Sequence, residues 1–112
     1  METELIALTS TGAAALVGLL ITDSWQEARS SMGSLWRRAE PDRADAVESE
    51  LGEARCALLA ARSAGNDQVA LGLIIDWHYR IDRLLAAFPQ TAVQLRRVVE
   101  DELAPALAAV GS

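Results

Sequence analysis

The sequence contains no lysine, one cysteine, one histidine, three prolines and only five aromatic residues, and each shortage removes a class of chemistry. A lone Cys56 leaves no partner for an internal disulfide, which fits a reducing cytosol and a buried, inert thiol. His78 alone cannot supply the paired Glu-x-x-His motifs of a di-iron bundle. No zinc-ligand spacing, phosphate-cradling glycine loop or nucleophile-base set occurs. The carboxylates Glu48, Glu50, Glu53, Glu100, Asp101 and Glu102 therefore read as solvated faces, and the expectation is a non-enzymatic protein with no metal and no cofactor. A net charge of −6 repels phosphate backbones, and only Arg37 with Arg38 and Arg96 with Arg97 cluster at all. Nucleic acid is not an expected partner.

What is present is an apolar, alanine-rich chain whose ten basic residues are all arginine. Its 112 residues are 51% hydrophobic and 23% charged, proportions of a folded single domain rather than a disordered chain. The opening Met1-Glu2-Thr3-Glu4 lacks the positive charge that precedes the apolar stretch of a secretory signal. No cleavage is expected, and the expected compartment is the cytoplasm.

Breakers divide the chain at Pro41, at Gly65-Asn66-Asp67, at Phe88-Pro89 and at Pro105. Between them the apolar spacing is three-four throughout, which predicts helices and no strand. From about Pro41 to Ala64, Ala44, Val47, Leu51, Ala54, Leu58 and Ala61 form one stripe, with Pro41 suited to the first turn. From about Asp67 to Phe88, the stripe is Ala70, Ile74, Trp77, Ile81, Leu84 and Phe88. Leu71, Ile75 and Leu85 widen it, so this helix is expected to be the most buried. The last helix shows Ala92, Leu95, Val99 and Leu103 before Pro105 discourages helical geometry at Ala104.

The first segment differs from the others. Residues 5–22 carry no charge, and a continuous helix from about Glu4 to Arg38 would span roughly 50 Å at about 1.5 Å per residue. Trp25, Ala28, Met32 and Leu35 continue a seam through Ile21, Gly18 and Ala14. The opposite face of the N-terminal half is also apolar, which ordinarily means burial on all sides. An overhanging rod with apolar faces predicts an interface made by Leu5, Leu8, Gly12, Leu16, Leu19 and Leu20. Trp36, beside two arginines at the far end, is a further candidate for an interaction edge. A wholly intramolecular core remains an alternative, as does insertion of the same segment into a membrane. Acidic flanks at Glu4 and Asp23 lack the cations that anchor many spans.

The residues Ala14-Ala15-Leu16-Val17, Thr22-Asp23-Ser24-Trp25-Gln26-Glu27-Ala28-Arg29 and Leu35-Trp36 together resemble a group of short, Ala/Arg-rich actinobacterial helical proteins. The likeness covers about the first third of the chain. It implies a cytosolic bacterial setting and no particular activity. The resulting expectation is an all-α, antiparallel four-helix arrangement with a long first helix, spanning residues 1–112 as one domain. Its expected function is homo-oligomeric self-assembly or an adaptor role through residues 1–22. The alternatives are a membrane-active protein and a helical regulatory partner of another protein.

Overall fold

The structure is a computed structural model that describes residues 2–110, all helical or in short turns, with no strand among the described residues. Helix α1 covers Glu2–Leu20, α2 Trp25–Ala39, α3 Pro41–Ser63 and α4 Gln68–Ala87. Helix α5 (Thr91–Arg97), a π-helical segment (Val98–Leu103) and α6 (Ala104–Val110) follow. Val98 and Ala104 both keep right-handed helical dihedrals, so these last three run on as one rod. Five rods result among the described residues.

The expected long first helix is two helices. Residues 21–24 leave helical geometry, because the Thr22 hydroxyl donates to the Leu19 carbonyl at 2.7 Å and accepts the Ser24 amide at 3.1 Å. Local side-chain bonds of this kind offer the backbone an alternative to the helical ladder. A 50 Å rod would also exceed the longest dimension of the molecule, 40 Å.

The remaining boundaries follow from residue chemistry. Pro41 opens α3 in its first turn, where its missing N–H costs nothing. Gly65 ends α3 with φ 70°, a left-handed conformation that suits glycine. There the Asn66 amide donates to the Ala61 carbonyl at 2.8 Å and the Gly65 amide to Arg62 at 3.1 Å, the two bonds of a Schellman turn. Asn66 then accepts the Gln68 amide through its side chain at 3.0 Å, tying down the start of α4.

Pro105 does not end the last helix. The Ala104 amide reaches back five residues to the Val99 carbonyl, and this wider turn precedes the proline. In an α-helix the pyrrolidine ring would press on the carbonyl four residues back, that of Asp101. The π-turn relieves that crowding and lets the helix run on.

Directions are legible from the contacts. Arg55 lies over the Trp25 ring, Gly33 faces Glu48, and Arg37 pairs with Glu48 at 2.8 Å and with Asp45 at 3.9 Å. Numbers rise along α2 as they fall along α3, so the two form an antiparallel hairpin. By contrast, a Cβ at Gly12 would lie 2.9 Å from Val99, and one at Gly18 would lie 3.3 Å from Leu107. Numbers rise together there, so α1 and the C-terminal rod run parallel. Helix α1 touches every other helix of the bundle and is its central element.

The core is continuous from α1 through all the other rods. It includes Leu16, Leu19 and Leu20 of α1, Met32 and Leu35 of α2, Val47 and Leu51 of α3, and Ile81 of α4. Leu95, Val98 and Leu103 complete it from the C-terminal rod. Trp36 and Trp77 meet edge to face, with ring centroids 6.2 Å apart and planes at 86°, an arrangement that aromatic quadrupoles favour.

Candidate interaction surface

The side chains expected at an N-terminal interface lie inside the protein's own core. Leu16 and Leu20 have no exposed surface, Leu19 is 1% exposed, Leu8 is buried and Gly12 is closed over by Val99. Leu5 is half-buried against the same cluster. Trp36, expected at an edge, is 5% exposed and packs on Trp77. The physical reason is the break at residues 21–24. It folds α2 back along α1 instead of extending it, so the all-round apolar helix is enclosed by the other rods. Beyond Thr3 and Glu4 at its start, α1 turns a strip through Ile6, Ala7, Ser10, Thr11 and Ala14 outward.

Two further expectations are overturned. Cys56 is exposed rather than buried, because it lies two positions from both Ala54 and Leu58, on the side of α3 away from the buried stripe. Helix α4 is not the most buried helix. Its buried residues are Trp77, Ile81, Leu84 and Leu85, none of them before its midpoint at Trp77.

The N-terminal half of α4 is the place where apolar sequence goes uncovered. Val69-Ala70-Leu71-Gly72-Leu73-Ile74-Ile75 carries no polar side chain, and none of these residues is buried. Val69, Ala70, Leu73 and Ile74 lean partly on the core. Leu71 and Ile75 point away from it, 56% and 70% exposed, and Tyr79 continues their line at 59%. Leu71, Ile75 and Tyr79 are spaced by four and share one helix ridge. Scattered exposed leucines need no explanation. An unbroken row on one helix is a different observation, since contiguous apolar patches mark interaction surfaces.

Charged residues frame this row. Arg80 pairs with Asp76 at 3.3 Å, forms a salt bridge to Glu50 of α3, and lies 4.5 Å from the centre of the Trp77 ring. This network pins the middle of α4 to α3 and fixes which face the row presents. Arg83 lies over Tyr79, 5.7 Å from its ring centre. Asp67, Gln68, Asp82 and Arg83 are all exposed and bound the row at its two ends.

A second polar feature sits between α2 and the π segment. Ser31 is buried and donates a hydrogen bond to Glu102, and Gln26, Glu27, Ser30 and Ser34 line the groove above them. Trp25 is flanked by Arg29 and Arg55, whose Cζ atoms lie 5.3 and 4.7 Å from its ring centre. These guanidinium groups lie over the ring of a half-buried tryptophan, where its quadrupole attracts cations. No group of three or more His, Cys, Asp or Glu side chains among the described residues could hold a metal ion.

The apolar row was partly visible in the sequence. Leu71 and Ile75 appear there as a widening of the buried stripe, whereas seven successive positions without a polar side chain are more than one stripe can bury. The same pattern in α1 is enclosed because α1 is central. In α4 it is not, because α4 lies at the side of the bundle. No family model, no curated protein and no solved structure matches this chain.

Proposed function

We propose that this protein is a non-enzymatic helical self-assembly or adaptor protein that homo-oligomerises through the exposed apolar face of α4. The observation that carries this reading is the Val69–Ile75 run, apolar throughout, fully buried at no position and exposed at Leu71 and Ile75. Each leucine- or isoleucine-sized side chain fully removed from water contributes roughly 1.5–3 kcal/mol, so covering Leu71, Ile75 and Tyr79 supplies a driving force for association. The acidic body keeps the protein dispersed while one side remains adhesive.

The test is the molar mass of the purified protein over a concentration series, by light scattering or sedimentation. The expected result is a mass that climbs above 12.0 kDa as concentration rises. A 12.0 kDa species at every concentration would reject self-assembly.

The membrane reading has one observation in its favour. Thr3–Leu20 is long and apolar enough to cross a bilayer, with half of that window buried inside the bundle. Its insertion would strip Leu16, Leu19 and Leu20 from the core, and each leucine withdrawn forfeits the same burial energy it would regain in lipid. The opened bundle would gain nothing in return. Self-assembly through α4 leaves the core intact and is preferred on that ground. Flotation of the intact protein with anionic or neutral vesicles should leave it in the unbound fraction, and co-flotation would reverse the preference.

A further inference from the structure

Resting on the self-assembly reading, we infer that the occupant of the α4 face is a second copy of this chain. The two α4 helices pack antiparallel about a two-fold axis at Ile75. The basis is a sequence of exposed residues that reads as its own complement. Asp67, Leu71, Ile75, Tyr79 and Arg83 follow one another at spacing four along α4 and its N-terminal flank, and every one is exposed. An acidic group stands at one end, a cationic group at the other, and the apolar residues lie between.

A two-fold axis relates each position to one equally far on the other side of Ile75. Ile75 then meets its own copy, Leu71 meets the partner's Tyr79, and Asp67 meets the partner's Arg83. The flanking positions obey the same rule, since Gln68 falls opposite the partner's Asp82 and its amide can donate to that carboxylate. Such an isologous contact is closed and produces a dimer rather than a filament. Shifting the register by one helical step of four residues brings Leu71 opposite the partner's Ile75 and leaves Asp67 against the partner's Tyr79. The charge pairing survives only in the register centred on Ile75.

Gly72 supports close approach. Nothing lies within 4 Å of where its Cβ would be, so the helix surface beside Ile75 is recessed at the crossing point. Arg83 is already drawn toward the row by Tyr79 rather than extended away from it, which places its charge at the edge the partner would approach. Asp76 is engaged by Arg80 and does not present an unpaired like charge at the centre.

The area sets the strength. A helix of 20 residues is about 30 Å long and about 10 Å wide, so one face offers roughly 300 Å². That is well below the approximately 800 Å² per partner of standard stable interfaces. The dimer is therefore a concentration-dependent equilibrium, and its rim pairs act on specificity more than on affinity.

Site-specific cross-linking reads the register directly. In a Cys56→Ser background, Ile75→Cys oxidised with oxidised glutathione should give a covalent dimer, because the two thiols face one another across the axis. Leu71→Cys alone should not, since its copies are separated by about 12 Å along the helices, beyond the Cα separation a disulfide tolerates. An equal mixture of Leu71→Cys and Tyr79→Cys chains should cross-link. Asp67→Arg should weaken association about tenfold, and adding Arg83→Asp should restore it to within about twofold. Circular dichroism confirms that each variant is folded, which exposed positions permit. If native protein associates but Ile75→Cys fails to cross-link, or Leu71→Cys cross-links with itself as readily as with Tyr79→Cys, this register is wrong and self-assembly stands. If native protein remains at 12.0 kDa throughout, both proposals fall.

Discussion

Gly12 and Gly52 are both helical, and their surroundings give substitution opposite signs. A methyl group at Gly52 would meet nothing within 4 Å, so Gly52→Ala gains the helix propensity difference, about 0.5–1 kcal/mol. At Gly12 the same methyl would come within 2.9 Å of the Val99 side chain, which is buried and stiff at χ1. Overpacking there costs about 1–3 kcal/mol, which exceeds the propensity gain over most of that range. Denaturant midpoints should therefore rise for Gly52→Ala and fall for Gly12→Ala. Equal stabilisation of both would mean that α1 does not approach the C-terminal rod as closely as described. Thr9 shows the same tightness in another form. It is fully buried, and its hydroxyl is satisfied locally by the Leu5 carbonyl at 2.9 Å, so it occupies the core without an unpaired donor.

At the scale of elements, the parts most legible in the sequence are those with one apolar stripe and strong punctuation. The six α3 residues of the stripe are all buried, and Pro41 and Gly65 stand at its two ends. The break between α1 and α2 escapes a reading built on proline and glycine, because its agent is a threonine hydroxyl competing with the helical ladder. That omission turns two helices into a rod and moves the uncovered surface to the wrong end of the molecule. The all-round apolar character of α1 was visible, but its central position depends on packing that no local pattern encodes. The π segment is likewise invisible to a three-four reading, although Val98, Val99 and Leu103 all need to face inward. It makes a defined prediction. Deleting the exposed Asp101 converts a five-residue turn to a four-residue one and leaves Val99 and Leu103 in register. With Pro105 retained, the ring then sits inside an α-helix and costs about 3 kcal/mol. Combined with Pro105→Ala, the deletion should cost little, as chemical denaturation would register. Equal loss in both chains would remove the link between the wide turn and the proline.

For the whole molecule, the proposed association has to work against charge repulsion. Association doubles a net charge of −6, and that repulsion is screened within about 10 Å at 0.1 M salt. The mass-against-concentration curve should therefore shift toward larger species as salt is raised, because an apolar contact persists while the opposing field fades. Dissociation by salt would point instead to an association held by rim charges. Enclosure of α1 removes the N-terminal helix from this balance, and the apolar surface that remains exposed lies on a helix anchored to α3 through Arg80 and Glu50.

The parallel pairing of α1 with the last rod also has a cost in time. Gly12 waits for Val99, and a ribosome adding about 5–20 residues per second needs on the order of ten seconds to deliver it. Until the last rod is made, the most apolar helix of the nascent chain lacks its final cover. The helix made first is thus the one that waits longest for its last neighbour.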